Sequence, residues 1–584
     1  MNGRSSGIVT FFLFVLLSVL VLLQVLSMIQ ADRLYERLDG LVRTAAEEGR
    51  RLVAGTSANE KEQKAQTAEE YPGDEGDWLV WHLSGEPTTL YAFLETATWP
   101  SRWITSGNIF ESMLEYEPDA FEFRGRLAED FSISADGLEI YFKLRNDIHF
   151  SDGEPITTDD VVFSFETITN PGVDCASYAN YFRDIERYER INDKEIKFYM
   201  KKVYFLSLGF LGGIPIYPEH IYKFDDPAEF NKLRTNPIGS GPYVFEKWDI
   251  GSGVVLNRNV NYWSRKPKIK KIIYKFITND IAALQALQSG EVDYLRPTPD
   301  QFGEKSKDEE FKKKFYCLSY WAAGNTGYFW IGWNQKQPFF TDKRVRLAMT
   351  HLVDREAIRK HILRNPDAQI PTGPFYIYGP QSDPNIKPWP YDPERAKQLL
   401  DEAGWVDSDG DGIRDKDGVP FRFKYMISSG IFLHEHIAKL VKDEAAKVGI
   451  DVILEPYEWS IFSERVVDRN FDALSMAWGG GVESDPYQIW HSSQIEKRGS
   501  NFIGFNNPKA DAIIEKARRT LDKDKRNALY HKFHRILHEE QPYTFIYTKP
   551  ENRFLDRRFE NVIIHKLGID EHEWYVPREK QKYK

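Results

Sequence analysis

An acidic run at residues 407–412, with the sequence DSDGDG, has residue types and spacing that could bind a metal ion. Alternating carboxylates followed by a glycine are typical of calcium loops of the EF-hand type. The twelfth residue of such a loop must be a glutamate, but here it is Gly418. The β-like residues that follow favour a polar hairpin turn. We therefore predict no metal site, and calcium at Asp407, Asp409 and Asp411 is the alternative.

Motifs for covalent or hydrolytic catalysis are not found beyond the N-terminal segment. The sequence matches G-x-S-x-G only at residues 3–7, ahead of the apolar stretch, and it contains no H-E-x-x-H and no cysteine–histidine cluster with zinc spacing. Carboxylates are abundant, but this is true of any acidic surface and does not by itself predict a glycosidase. Cys175 and Cys317 are far apart in the sequence, and we prefer two unpaired buried thiols to a disulfide between them. We predict no catalytic residue and no cofactor.

Length and charge limit the classes of protein that remain. A chain of 584 residues is too long for one ordinary core, so two or three lobes are expected. The net charge is -11 and no long run of lysine and arginine occurs, so nucleic acid is not an expected partner.

The N-terminus predicts a membrane segment. Residues 8–29 are almost entirely apolar, and about 20 such residues cross a bilayer, whereas the apolar part of a secretory signal is usually ~7–15 residues long. Arg4 precedes the segment, which places the rest of the chain outside the cytoplasm. Residues 1–31 are thus interpreted as an uncleaved signal anchor, with a cleaved signal peptide as the alternative. Residues 32–76 follow as a helical and polar stalk.

A hairpin followed by a helix is predicted from Leu127 to Glu166. Asp136-Gly137 is a tight-turn dipeptide, and apolar residues alternate on both sides of it. Thr157 and Asp160 have the spacing of a capping box that begins a helix.

The identities of these residues resemble a known family. The stretch DGLEIYFKLRNDIHFSDGEPITTDDVVFS is similar to the signature of the bacterial family 5 extracellular solute-binding proteins, the peptide and oligopeptide receptors of ABC importers. Similar elements recur in the family's order at residues 237–263, 286–295, 391–405 and 501–508, so the resemblance covers roughly Trp78 to Thr548.

The resemblance implies an α/β fold with two lobes, of the large periplasmic-binding-protein type. It also implies an extra subdomain in the first lobe and two hinge crossings, through which the lobes close around a ligand. The domain boundaries that follow are residues 77–108, 238–333 and 541–584 for the first lobe, 109–237 for the extra subdomain and 334–540 for the second lobe.

Candidate ligand-binding residues come from two places. In the resembled family, the loop after the first strand lies beside the ligand, which here selects Glu86 and Thr88. The patterns at residues 448–454 and 471–478, with a helix between them, predict a β-α-β unit, and ligands in such sheets lie beyond the carboxyl ends of the strands. This second place selects Trp478 as an apolar wall and Gly479 and Gly480 as points of close backbone approach.

The sequence departs from the family at the expected positions for the two ends of a dipeptide. Many peptide receptors place an aspartate just after this tryptophan to hold the ligand's ammonium; here the available acids are Glu483 and Asp485. Dipeptide receptors also supply an arginine from the loop matched by residues 427–434, and no arginine occurs there. A dedicated dipeptide receptor is therefore not favoured.

The function that the resemblance implies is capture of an extracytoplasmic solute, chiefly a peptide, and its delivery to an ABC permease. The expected location is outside the cytoplasmic membrane, to which the N-terminal helix anchors the protein. The alternatives are a ligand sensor or chaperone that uses the same cleft, and a membrane-tethered hydrolase.

Overall fold

The computed structural model describes residues 71–323, 327–479, 483–496 and 499–583. The predicted anchor and most of the stalk lie outside the described residues. The described chain divides into two compact units. The first unit comprises residues 71–323, 518–523 and 550–583, and the second comprises the described parts of 327–517 and 524–549.

The strands are numbered along the chain. They are β1 (Trp78–Leu83), β2 (Leu114–Tyr116), β3 (Phe123–Gly125), β4 (Ala128–Ile133), β5 (Glu139–Leu144), β6 (Ile185–Asn192), β7 (Glu195–Met200), β8 (Tyr243–Asp249), β9 (Gly253–Arg258), β10 (Lys271–Phe276), β11 (Tyr294–Leu295), β12 (Phe315–Tyr320), β13 (Tyr328–Trp333), β14 (Asp415–Lys416), β15 (Val419–Pro420), β16 (Arg422–Ser428), β17 (Asp451–Tyr457), β18 (Ala473–Trp478), β19 (Tyr543–Tyr547) and β20 (Glu551–Asp556).

The helices are numbered in the same way. They are α1 (Trp99–Thr105), α2 (Thr158–Thr169), α3 (Ala176–Ala179), α4 (Ser207–Gly212), α5 (Glu219–Tyr222), α6 (Pro227–Asn231), α7 (Asp280–Ser289), α8 (Pro299–Lys305), α9 (Glu309–Lys314), α10 (Lys343–His351), α11 (Arg355–Ala357), α12 (Pro393–Glu402), α13 (Phe432–Ala446), α14 (Trp459–Val467), α15 (Tyr487–Trp490), α16 (Pro508–Arg518) and α17 (Lys523–Glu540).

The first unit is built on a seven-stranded sheet with the order β12-β20-β11-β1-β10-β9-β8. Strand β1 runs parallel to both β10 and β11, and the outer strands are antiparallel to their neighbours. A core of apolar side chains from β1, α7, α9 and β20 packs on this sheet, including Leu287, Phe311 and Phe554.

The predicted hairpin and helix are confirmed. Strands β4 and β5 pair in an antiparallel register, and Gly137 in the turn has a φ of +75°, which glycine adopts without strain. Thr157 and Asp160 form the capping box that begins α2. Strands β6 and β7 complete a four-stranded sheet with the order β4-β5-β7-β6.

Gly239 and Gly241 allow two backbone segments to approach closely. A Cβ atom on Gly239 would lie 2.1 Å from the carbonyl oxygen of Ile109, and one on Gly241 would lie 2.2 Å from that of Asn108. No side chain fits at these distances, so glycine is required for packing rather than for a left-handed φ. Strand β8 begins directly after Pro242, so this glycine turn leads into a strand.

The second unit is built on a five-stranded sheet with the order β17-β16-β18-β13-β19. Strands β17 and β18 both run parallel to β16, while β13 is antiparallel to β18 and β19. The side chains buried around the sheet, such as Trp333, Phe340 and Phe421, form its core. Asp342 and Asp392 are the N-cap residues of helices α10 and α12, and each accepts a hydrogen bond from a backbone nitrogen of the first turn.

The predicted β-α-β unit has one more strand than its sequence pattern suggested. Strands β17 and β18 and helix α14 are present, but β16 lies between the two strands in the sheet. Residues 427–434 were expected to form a loop because of the resemblance. They span the end of β16 and the start of α13.

The division between the two units does not coincide with the expected boundaries at 333/334 and 540/541. The second unit begins before the first of these boundaries and extends past the second, to residue 549. Strands β13 and β19 pair with each other in the five-stranded sheet, and β13 also pairs with β18. The hydrogen bonds of these strands therefore assign residues 328–333 and 543–547 to the second unit. Residues 109–237, expected as an extra subdomain, belong to the first unit.

Candidate functional site

A cavity of about 460 Å³ opens within the first unit, which is in the size range of small-molecule sites. Every residue that lines it belongs to this unit. The lining residues are Trp81, Arg102, Trp103, Ser106, Glu115, Tyr116, Pro118, Tyr294, Tyr320, Ala322, Glu551, Arg553, His565, Leu567, Gly568, Ile569, Asp570 and Glu571.

The cavity lies toward the carboxyl ends of the parallel strands of the seven-stranded sheet. Strand β20 is antiparallel to β11, so its first residue, Glu551, is displaced toward the carboxyl end of β11. Tyr320, the last residue of β12, is paired with Glu551. Ligands of open α/β sheets bind at this edge, because the loops that leave the strands diverge there.

Aromatic side chains form much of the cavity wall. The rings of Trp81 on β1 and Tyr294 on β11 have centroids 3.8 Å apart, because these residues are directly paired in the sheet. Trp103 on α1 lies 5.9 Å from Trp81. Such rings provide a rigid apolar surface against which a ligand can pack at low entropic cost.

Most charged groups of the cavity have charged partners within the first unit. Arg553 forms an ion pair of 2.5 Å with Glu551, and its Nε donates to the hydroxyl of Tyr294. Burial favours the neutral form of Arg553, but its interactions with the Tyr294 hydroxyl and the Glu551 carboxylate outweigh burial and raise the pKa of Arg553. Glu115 accepts a hydrogen bond of 2.8 Å from Arg124.

The segment 565–572 closes one side of the cavity with further paired charges. His565 lies 2.8 Å from Asp119 and 2.9 Å from Glu573. His572 lies 3.0 Å from Asp570. Burial alone would lower the pKa of His572, but the negative charge of Asp570 raises it to about 9.

Arg102 differs from these groups. It lies on α1 with 9% of its surface exposed, and no carboxylate among the described residues forms an ion pair with it. One Nη atom lies 3.5 Å from the carbonyl oxygen of Ala97, at the outer limit for a hydrogen bond, and the buried Nε has no hydrogen-bond partner. Burial lowers the pKa of Arg102, and a hydrogen bond with Tyr178 opposes that shift.

The sequence-predicted residues of the first unit lie outside the cavity lining. Glu86 is half-buried and accepts hydrogen bonds from Trp248 Nε1 at 2.8 Å and from the backbone nitrogen of Gly251 at 2.9 Å. Thr88 is exposed and donates to the carbonyl oxygen of Thr96. The carboxylate of Glu86 therefore holds the turn between β8 and β9.

Trp478 ends β18 and is 3% exposed. Its ring stacks on those of Trp330 and Phe502, with centroids 6.0 and 5.9 Å away. Tyr543 stacks on Trp330 at 3.7 Å, and its hydroxyl accepts a hydrogen bond of 3.4 Å from Trp478 Nε1. Trp478 is thus part of a buried aromatic stack of the second unit.

The two predicted acids of the second unit are both buried and bound. Glu483 is 1% exposed and accepts a hydrogen bond of 3.0 Å from Arg526 Nε. Asp485 is 5% exposed and accepts a hydrogen bond of 3.0 Å from the backbone nitrogen of Tyr487. Gly479 follows β18, and Gly480 lies outside the described residues.

The acidic run at 407–412 is a surface turn, as its sequence favoured. Val406 and Asp415 form a bridge across it, and the short hairpin of β14 and β15 follows. The carboxylate oxygens of Asp407, Asp409 and Asp411 lie within 4.8 Å of one another, and all three side chains are exposed. Asp407 accepts hydrogen bonds from two backbone nitrogens of its own loop.

The two thiols are unpaired, which confirms the preferred interpretation. Cys175 is buried and Cys317 is half-buried. Burial raises the pKa of Cys175 to about 12, so its thiol is protonated at neutral pH.

Comparison with known proteins identifies the family. The model of the bacterial extracellular solute-binding proteins, family 5 (middle region), matches residues 122–499, more than half of the chain. The oligopeptide-binding protein AppA of Bacillus subtilis is 32% identical over 85% of this chain and 90% of its own length. The chain belongs to family 5 of the bacterial extracellular solute-binding proteins.

Two solved structures share the architecture. AppA of Bacillus subtilis, in complex with a nonapeptide, superposes with a TM-score of 0.72 and 28% identity over 87% of this chain and 100% of its own. NikZ of Campylobacter jejuni, in complex with Ni(L-His), has a TM-score of 0.71 and 25% identity over 85% of this chain and 99% of its own. The predicted fold, a two-lobed α/β periplasmic-binding-protein type, is confirmed.

Family membership agrees with the absence of catalytic motifs, since these relatives are solute-binding proteins. Within the described residues, none of the helices combines the length and apolar character needed to span a membrane. The lining residues Arg102 and Arg553 were not foreseen from the sequence, because their roles depend on neighbours that lie far away along the chain. The only local sign was an arginine between two tryptophans in Trp99-Pro100-Ser101-Arg102-Trp103.

Proposed function

We propose that this protein is an extracytoplasmic receptor that binds peptides and delivers them to an ABC permease. The observation that carries the proposal is the similarity to AppA over most of both chains, together with the nonapeptide bound in the solved AppA structure. The aromatic walls of the first-unit cavity support it, because side chains of varied sequence pack on flat apolar surfaces.

The seven residues selected from the sequence remain proposed ligand contacts with unequal support. Thr88 is exposed, and Gly479 has no side chain to obstruct a ligand. Glu86, Glu483 and Asp485 already accept hydrogen bonds from protein groups, so a ligand would have to share or replace those bonds. Two residues complete the set: Trp478 and Gly480.

Native mass spectrometry of the purified protein tests the ligand class. The protein would be mixed with a library of random peptides two to nine residues long and, separately, with the Ni(II)–histidine chelate. Peptide adducts that survive buffer exchange are the expected result. Adducts with the chelate alone would overturn the proposal and place the protein with chelate receptors.

Delivery to a permease needs a separate test in cells. In a strain that requires one amino acid and receives it as a peptide, deletion of this protein should abolish growth, and its restoration should rescue growth only when the permease is intact. Growth that persists after the deletion would contradict a transport role and favour a sensor or chaperone.

A further inference from the structure

Some of the charged residues that line the first-unit cavity have no oppositely charged partner in the described part of the chain. Arg553 is compensated by Glu551, Glu115 by Arg124, and Asp570 by His572. His565 lies between Asp119 and Glu573. After these pairings, Arg102 and Glu571 are the charged lining residues without an ion pair among the described residues.

These two residues differ in the charge they carry. Glu571 is half-buried, and burial raises the pKa of its carboxyl, which favours the neutral form. Arginine stays protonated at any pH that proteins experience, even where burial lowers its pKa. Arg102 therefore contributes a positive charge to the cavity wall that no neighbouring acid compensates.

A buried arginine without an acidic partner destabilises the ligand-free protein. Its guanidinium has five N–H donors, but one Nη atom meets Ala97 only at 3.5 Å, Nε has no partner, and the hydrogen bond with Tyr178 is to a neutral hydroxyl and not to an acid. An unpaired buried charge is unfavourable, and the penalty is relieved when an anion with two acceptor oxygens approaches. A carboxylate is the anion that matches the fork of a guanidinium and that every unmodified peptide carries.

We infer that the cavity receives a carboxylate of the bound ligand and that Arg102 is its partner. This inference rests on the proposed function, because a peptide supplies the carboxylate either at its C-terminus or on an aspartate or glutamate side chain. Arg102 thereby fills the role that the residues at 427–434 lack, since no arginine occurs there.

The test is a competition between two matched peptide libraries, one with C-terminal acids and one, isotopically labelled, with C-terminal amides. Half of each library omits aspartate and glutamate, so that the two sources of carboxylate can be distinguished. The ratio of bound acid to bound amide is read by native mass spectrometry for wild type, Arg102→Gln and Arg102→Lys. Arg187→Gln, which removes an exposed arginine of β6, is the control.

We expect wild type and Arg187→Gln to prefer carboxylate-bearing peptides by about tenfold or more, since hydrogen bonds between charged groups are strong when buried. Arg102→Gln should reduce the preference to near one, and Arg102→Lys should keep part of it. If the preference follows the content of aspartate and glutamate and not the C-terminal group, Arg102 still binds a carboxylate, and that carboxylate belongs to a ligand side chain.

Two outcomes would overturn the inference and are distinguishable. If wild type binds acid and amide libraries equally, Arg102 does not recognise a carboxylate, although the peptide receptor remains. If wild type binds neither library, the proposed function itself fails, and this inference fails with it. Should Arg102→Gln not fold, as judged by circular dichroism, the wild-type ratio and Arg102→Lys still decide the matter.

Discussion

Glu483 and Arg526 form an ion pair in which both side chains are almost completely removed from solvent, at 1% and 0% exposure. The pair joins the segment after β18 to α17 inside the second unit. Because removal of one partner leaves the other charge buried and uncompensated, such a pair carries a large penalty when it is broken.

Glu483→Gln should therefore lower the free energy of unfolding of the protein by roughly 3–5 kcal/mol. Urea unfolding followed by tryptophan fluorescence measures this. Glu394→Gln breaks an exposed ion pair with Lys397 and should cost no more than about 1 kcal/mol. If Glu483→Gln leaves stability unchanged but abolishes peptide binding, Glu483 acts on the ligand and not on the fold.

Trp478 is expected to contribute to stability as well as to any ligand surface. Trp478→Ala removes a ring that stacks on Trp330 and Phe502 and should cost roughly 3–5 kcal/mol in the free energy of unfolding. Trp478→Phe keeps an aromatic ring at this position and should cost clearly less. If the two variants are equally stable in thermal unfolding, ring stacking is not how Trp478 stabilises the protein.

Gly241 tests the close approach of two backbone segments. Gly241→Ala places a Cβ atom 2.2 Å from the carbonyl oxygen of Asn108, which must move, so the melting temperature should fall. The expected loss is about 1–3 kcal/mol, typical of overpacking. Gly303→Ala adds a Cβ within α8 where no atom lies within 4 Å, and it should be neutral or stabilising. A neutral Gly241→Ala would contradict the packing role.

His572 should make stability depend on pH. In the folded protein its pKa of about 9 exceeds the ordinary 6.5, because the charge of Asp570 outweighs the effect of burial. The protonated form is thus stabilised by folding, so this contribution is complete below pH 6.5 and is lost as the pH rises through about 9. We expect the difference in unfolding free energy between wild type and His572→Gln to shrink across that interval.

The exposed His361 provides the control for this titration. His361→Gln, which removes an exposed imidazole, is measured beside it between pH 6 and 9.5. A constant difference between wild type and His572→Gln over the same range would show that the ion pair with Asp570 does not titrate there.

The N-terminal anchor remains a prediction that cell fractionation can decide. Full-length protein should stay in the membrane fraction after a high-salt wash, because residues 8–29 provide enough apolar length to span a bilayer. Deletion of residues 1–31, with secretion restored by a cleavable signal, should release it. A mature protein that begins near Asp32 and is freely soluble would identify the segment as a signal peptide instead.

The sequence alone determined the local elements and the family. The turn at Asp136-Gly137 and the capping box at Thr157 were predicted correctly, because each depends on residues only a few positions apart. The order of the motifs along the chain was enough to identify the two-lobed fold, since that order is itself a sequence property.

Only the tertiary structure decided which charges are compensated and which strands are neighbours. Glu483 is bound by Arg526, and β16 lies between β17 and β18, although nothing in the local sequence requires either. Arg102 likewise stands out only because most of the other charged groups around its cavity have charged partners, one of which, Asp119, lies far along the chain from His565. Pairing depends on distance and burial in space, which the spacing of residues along a chain does not determine.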